Sequence, residues 1–243
     1  ILFAFPGATL ALDGEFRLSG PGADKNTRFL EALNSWWSKL GIGLAPSLEP
    51  FAGGWFVFLG YELAQEIEPS LALRGEPDVP VAFATRVPVA VIRDRVEARA
   101  WIVAEPDHEG MLDIIKADLL ALKPIYPKPG SAIVDGFVIE EPPETFLAAV
   151  QRAKTHIARG DIYQANLSRM WRSQLKPNVS TGDLYARLRE TNPAPFAGLI
   201  VKDDLAVISS SPERLLRLRA GQFETRPIAG TRWRDEHSET GHF

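Results

Sequence analysis

Val79-Pro-Val-Ala-Phe-Ala-Thr-Arg-Val-Pro-Val-Ala-Val-Ile92, then Arg93-Asp-Arg95, then Val96-Glu-Ala-Arg-Ala-Trp-Ile-Val-Ala104 is the stretch that decides the fold class. Both flanks are rich in β-branched and aromatic residues, which suit a pleated, half-buried surface. The charged triplet between them reads as a hairpin turn. Strands joined this closely must run antiparallel, because a parallel pair needs a crossover of a dozen residues or more. Working back toward the start, Ile1–Phe5, Thr9–Leu12 and Phe16–Ser19 read as short strands, separated by the turn signals Pro6-Gly7 and Asp13-Gly14. Asn26 to Leu40 reads as a helix: Phe29, Leu30, Leu33, Trp36, Trp37 and Leu40 recur at helical spacing, and Gly41 supplies a stop. The two tryptophans read as core and rim packing. Phe51–Leu59 reads as a buried strand, Tyr61–Glu68 as a short helix and Met111–Leu122 as another helix.

Lys123–Ser131 holds three prolines and a glycine, too few backbone donors for a helix or a central strand. It marks a boundary between domains at 1–130 and 131–243. Beyond it, Phe137–Glu140 reads as a strand and Glu144–Arg159 as a helix stopped by Gly160, where a left-handed residue is wanted. Ile162–Leu175 reads as one long strand, and Ser180–Arg189 as a helix whose Ser180 and Asp183 sit like a capping box. Phe196–Val201, Ala206–Ser210, Leu215–Arg219 and Gln222–Thr225 read as four short strands. Strands outnumber helices, so the expected class is α+β, with large antiparallel sheets and helices packed on them. No Gly-x-Gly-x-x-Gly follows a strand, which argues against a dinucleotide fold.

Composition removes several function classes. Apolar residues make up 45% and charged residues 24%, ordinary for a globular chain and unlike a disordered one. The net charge of −4 is spread along the sequence, and no basic stripe is present to neutralise a nucleic-acid backbone. No cysteine is present, so disulfides, thiolate metal sites and cysteine nucleophiles are excluded, in keeping with a reducing cytoplasm. No apolar run approaches about 18 residues, so no membrane partner is expected. His108, His156, His237 and His242 lack metal-ligand spacing with carboxylates.

Four segments carry the chemistry. They are Gly160-Asp-Ile-Tyr-Gln-Ala-Asn-Leu-Ser168, Asn192-Pro-Ala-Pro-Phe196, Ser209-Ser-Ser-Pro-Glu-Arg214 and Thr225-Arg-Pro-Ile-Ala-Gly-Thr231. In order and spacing they resemble the chorismate-binding enzymes, which include anthranilate, aminodeoxychorismate, isochorismate and salicylate synthases. Phe51-Ala-Gly-Gly54 with Gly60-Tyr-Glu-Leu63 is similar to the amino-terminal domain of the glutamine-dependent members, the anthranilate synthase component I type. The resemblance implies antiparallel sheets sandwiching helices, with chorismate at the centre and Mg2+ on its carboxylates. The magnesium ligands of the family are glutamates in a carboxy-terminal part, so none is expected in this chain. The chain opens on an apolar run without methionine and stops soon after the fourth motif. The core is therefore expected to be incomplete at the C-terminus, with residues missing before Ile1, and this segment alone to be unable to turn over chorismate.

The resemblance also implies roles for single residues. Where water-adding relatives carry a lysine base, this chain has Gln164, which cannot take a proton near neutral pH but can orient a nucleophile that arrives already basic, such as ammonia. Glu213 could shuttle a proton to the departing hydroxyl if burial raised its pKa. In the fourth motif, Gly230 lets backbone approach the substrate and Thr231 offers hydrogen bonds. Ala229 stands where many aminodeoxychorismate synthases have a nucleophilic lysine, so covalent catalysis from that position is excluded. Alanine there is shared with anthranilate synthases. By contrast, Tyr163-Gln-Ala-Asn166 and Asn192–Gly198 favour the aminodeoxychorismate type. Tyr163, Asn166, Pro195 and Phe196 match a pocket that can hold tryptophan in the glutamine-dependent relatives. The expected activity is amination of chorismate to 4-amino-4-deoxychorismate, with ammonia from a glutamine amidotransferase subunit, on the way to 4-aminobenzoate and folate. An anthranilate-forming enzyme of tryptophan synthesis and a non-catalytic ligand-binding fragment stay open beside it.

Overall fold

The computed structural model describes residues 1–40, 50–123 and 133–230. Gly41, nearly all of the Lys123–Ser131 linker and everything from Thr231 onward lie outside the described residues. The chain divides into two compact units, Ile1–Pro124 and Ile125–Phe243.

The first unit contains β1 (Leu2–Ala4), β2 (Thr9–Leu12), β3 (Leu18–Ser19), α1 (Phe29–Leu40), β4 (Gly54–Leu59), α2 (Ala64–Ile67), β5 (Ala82–Val87), β6 (Val89–Asp94), β7 (Arg99–Ala104) and α3 (Met111–Ala121). They form two antiparallel sheets, ordered β3-β2-β5-β4 and β1-β6-β7. The run expected as one strand over Val79–Ile92 is two strands in different sheets. Pro88 has no N–H for a ladder, and its carbonyl instead accepts the amide of Glu105 at 3.0 Å. The hairpin turn also falls later than Arg93–Arg95. Asp94 Oδ1 accepts the amides of Val96 (2.8 Å) and Glu97 (3.0 Å), a side-chain turn mimic, so β7 begins at Arg99 and not at Val96.

One face of the four-stranded sheet carries the core: Leu10, Leu12, Val81, Ala82 and Ala84 pack with Leu63 and with Phe29, Ala32 and Trp36 of α1. Trp36 meets Trp55 edge-on at 5.4 Å, while Trp37 is exposed, the core-and-rim division expected of the pair. The helix starts at Phe29 and not at Asn26. Its end is fixed from outside, where the Glu66 carboxylate accepts the amides of Phe29 (2.8 Å) and Leu30 (3.1 Å). A carboxylate there satisfies orphaned donors and complements the positive end of the helix dipole.

The second unit contains β8 (Val134–Glu140), α4 (Pro143–Arg159), β9 (Trp171–Leu175), α5 (Thr181–Thr191), β10 (Phe196–Lys202), β11 (Leu205–Ser211), β12 (Arg214–Arg219) and β13 (Gln222–Arg226). Its strands form three antiparallel pairs, β8-β9, β10-β11 and β12-β13. Gly160 ends α4 with φ 77°, and Ser180 with Asp183 completes the capping box at α5. The long strand expected over Ile162–Leu175 shrinks to its last five residues. Among the described residues no strand ladder includes 162–170: β8 is kinked at Gly136 (φ 73°), shifts register between Asp135 and Ile139 and pairs only with Trp171–Leu175, and just beyond it the Met170 carbonyl accepts the Glu141 amide at 2.9 Å. The architecture is α+β, with every strand pair among the described residues antiparallel. None of the described residues of this unit is buried.

Candidate functional site

The β12–β13 hairpin turns on Ala220 and Gly221, both at positive φ (49° and 76°), as a two-residue primed turn requires. From there the register runs Arg219 to Gln222, Leu218 to Phe223 and Arg217 to Glu224. One extra residue is then accommodated on β12 before Arg214 faces Arg226. Glu213 and Pro227 therefore leave the hairpin from the same end. Two motifs that the sequence presents only in order, Ser209–Arg214 and Thr225–Gly230, become spatial neighbours through this pairing.

Glu224 binds three guanidinium groups. Arg214 Nη1 lies 2.6 Å and Arg226 Nε 2.8 Å from its Oε1, and Arg217 Nη1 lies 3.3 Å from Oε2. The Arg226 hydrogen bond first, and the charges of Arg214 and Arg217 in addition, hold this carboxyl below the ordinary glutamate range. Arg214 also lies over the Phe196 ring at 4.8 Å, a cation–π contact. Thr225 Oγ1 donates to the Arg214 carbonyl at 3.2 Å. Ser211 Oγ accepts the Glu213 amide and donates to the Glu213 carbonyl, at 3.4 and 3.1 Å. Ser210 Oγ donates to the carbonyl of Asn192, the residue that ends α5. Three of the four motifs, Asn192–Phe196, Ser209–Arg214 and Thr225–Gly230, are thus tied into one cluster.

The first motif is placed apart from this network. Gln164 is exposed, and its one hydrogen bond among the described residues goes from Nε2 to Asn166 Oδ1, at 3.3 Å. Tyr163 is 95% exposed, and no hydrogen bond or ring contact among the described residues joins it or Asn166 to Pro195 or Phe196. Pro195 is exposed and Phe196 half-buried. The burial that the Glu213 proton-shuttle reading requires is not present, for Glu213 is exposed. Ala229 and Gly230 are exposed too, and Thr231 lies outside the described residues. A Cβ added at Gly230 would meet nothing within 4 Å, so its bareness answers no crowding among the described residues. No group of three or more His, Asp or Glu among the described residues could hold a metal ion. These residues therefore do not by themselves make a magnesium seat.

Phe51–Gly54 has a structural explanation within the first unit. Gly53 sits at φ 111°, and a Cβ there would overlap the Glu105 side chain. Glu105 is buried and paired with Arg86, which also donates to the Gly54 carbonyl at 2.6 Å and lies over Trp55 at 4.7 Å. A cleft of about 890 Å³ beside the β6–β7 hairpin contains none of the expected site residues. Arg86, Glu105, Arg214, Arg226 and Glu224 were not singled out from sequence. The available signal was a charge embedded in an apolar strand, as in Thr85-Arg-Val87, and one glutamate in a hairpin rich in arginine.

The family described as chorismate binding enzyme matches residues 20–241. Anthranilate synthase component 1 of Aquifex aeolicus is 31% identical over 215 residues, covering 79% of this chain and 41% of that protein. Aminodeoxychorismate synthase component 1 of Bacillus subtilis is 30% identical over 222 residues, covering 86% of this chain and 46% of that protein. The chain thus spans less than half the length of these curated relatives. Anthranilate synthase component I from Streptococcus pneumoniae superposes with a TM-score of 0.74 at 19% identity, covering 90% of this chain and 51% of that one. That likeness carries the fold.

Proposed function

We propose, proceeding from the premise that this chain belongs to the chorismate-binding enzyme family, that it serves the amination of chorismate to 4-amino-4-deoxychorismate with ammonia from a glutamine amidotransferase subunit. The observation that carries this reading is the amide at Gln164, within Tyr163-Gln-Ala-Asn-Leu167. An amide orients a nucleophile by donating and accepting hydrogen bonds, but it cannot deprotonate water. The reaction it suits is attack by a molecule that is basic already. With Ala229 offering no nucleophile, ammonia attacks the ring directly and the hydroxyl leaves. Glu213 delivers the proton to that hydroxyl, and the 227–231 loop, with Gly230 and Thr231, approaches the substrate. Exposed as it is here, Glu213 fills this role only in a site closed by further structure. Magnesium, with its ligands outside the described residues, would neutralise the substrate carboxylates.

A second reading, formation of anthranilate, is favoured by Ala229, and the relatives above carry both names. The two separate cleanly by product. The protein encoded by the whole gene is incubated with chorismate, ammonium and magnesium. Accumulation of a compound that yields 4-aminobenzoate only when a lyase is added supports aminodeoxychorismate formation. Direct release of anthranilate with pyruvate overturns it in favour of the second reading.

A further inference from the structure

We propose that Glu224 is a positioning residue of the amination site, a conclusion that rests on the functional reading above. Glu224 lies in none of the four motifs, yet its carboxylate connects two of them. Arg214 closes the Ser209–Arg214 motif and Arg226 opens the approach to the Pro227–Gly230 loop, and both bind the same oxygen of Glu224, at 2.6 and 2.8 Å. Arg214 and Arg226 face each other across the hairpin. Two guanidinium groups placed opposite one another on the same pair of strands repel. With Arg217 also within 3.3 Å of Glu224, three positive charges converge on one negative one.

The Ala220-Gly221 turn sets the register, and beyond the bulge between Arg214 and Arg217, where the ladder is interrupted, that carboxylate is a second anchor for the pairing. The clamp extends one step further. Arg214 held by Glu224 remains over the Phe196 ring, at 4.8 Å, so the Asn192–Phe196 turn is connected to the same anchor. Removing the charge frees Arg214 and Arg226 to separate, and the strand end that aligns Glu213 with the Pro227 loop loosens. Glu224 touches neither substrate nor reacting atoms in this reading. It acts through the two arginines.

The consequence is a defect in alignment and not in substrate affinity. Losing the relative placement of a proton donor and a substrate-facing loop by a fraction of an ångström slows the chemical step by an order of magnitude or more. The experiment uses the protein encoded by the whole gene, assayed for steady-state amination of chorismate with ammonium. Glu224→Ala is expected to lower kcat by at least about tenfold, with KM for chorismate changed by less than about threefold. Glu224→Asp keeps the charge and is expected to recover more of kcat than Glu224→Gln, although glutamine is the closer match in shape. Arg99→Ala, at a surface ion pair with Glu97 in the first unit, controls for loss of a charge elsewhere and leaves kcat unchanged.

A space-filling role would be rescued best by glutamine, and that result overturns the inference. So does an Ala variant with wild-type kcat, in which case chorismate amination itself stands. Wild-type protein that leaves chorismate untouched overturns both. If Glu224→Ala does not fold, the Asp and Gln variants carry the test, because each preserves a hydrogen-bond acceptor for the arginines.

Discussion

The two units treat their apolar residues in opposite ways. In Ile1–Pro124, Phe29, Leu10, Val81 and Val89 are fully enclosed, and every buried apolar side chain among the described residues belongs to this unit. In Ile125–Phe243 the strands carry a smaller share of apolar residues, and those they carry are left open: Phe137 is 92% exposed and Phe223 72%. Burial of each such side chain is worth about 1.5–3 kcal/mol, so among the described residues the first unit has apolar packing to support it, while the second shows strand ladders, caps and ion pairs. Stability and the proposed chemistry are therefore separated. The residues that fix the first unit take no part in the amination proposal, and the motifs that carry that proposal stand on strands with little apolar support among the described residues.

The strongest way to break this comparison is to truncate one large side chain in each unit. Phe29→Ala opens a cavity in a fully enclosed site and is expected to cost about 3–5 kcal/mol. Phe223→Ala removes a ring that is 72% exposed and is expected to stay within about 0.5 kcal/mol. Urea unfolding of the chain, followed by circular dichroism, measures both. Comparable losses at the two positions would mean that the second unit also possesses a packed core.

A smaller effect is expected at the charged contact inside the first unit. The Arg86 and Glu105 side chains are 15% and 10% exposed, and Glu105 Oε1 has no hydrogen-bond partner among the described residues. Arg86→Met strands a buried carboxylate and is expected to destabilise by about 3 kcal/mol, whereas the double change Arg86→Met with Glu105→Leu recovers most of that loss. The same urea titration reports both. A double variant no better than the single one would show that Arg86 matters for its contacts with Gly54 and Trp55 and not for neutralising Glu105. The comparison would then sharpen, because the first unit would owe nothing to charge neutralisation at Glu105.

What the sequence made legible follows from the range over which each signal acts. The caps at Gly160 and at Ser180 with Asp183 are local, and they form as their residues require. The helical face of Phe29, Leu33 and Trp36 is also local, but its first turn is set by Glu66, thirty-seven residues from Phe29, and so spacing alone places the start too early, at Asn26. The run Val79–Ile92 looks like one strand across Val87-Pro88-Val89, because apolar pattern does not reveal which sheet each part joins. At the candidate site, motif order was legible and connection was not. Nothing in Glu224-Thr-Arg226 alone says that Arg214 faces Arg226, because that contact exists only once the Ala220-Gly221 turn sets the register. Gln164 was given its role by resemblance, and its placement beside Asn166 neither buries it nor bonds it to the Pro227–Gly230 loop.

The smallest expected effect tests the ion-pair half of the comparison, and it is a matter of sign. Glu224 has its carboxyl lowered from 4.5 in the folded hairpin, chiefly by the Arg226 hydrogen bond. A depressed folded pKa means that the unfolded state binds the proton more readily, so the contribution is fully present above the unfolded value of 4.5. It is lost as pH falls through the lower, folded value. Hydrogen exchange of the β12–β13 amides should then separate wild type from Glu224→Gln at neutral pH and show them converging in acid. Because Glu224 remains open to solvent, added salt should narrow the gap at neutral pH as well. A gap that is constant from neutral to strongly acid pH would mean that the amide-for-carboxylate change acts through shape. The hairpin would then owe its register to the primed turn alone, leaving the three arginines without a structural part in joining the motifs.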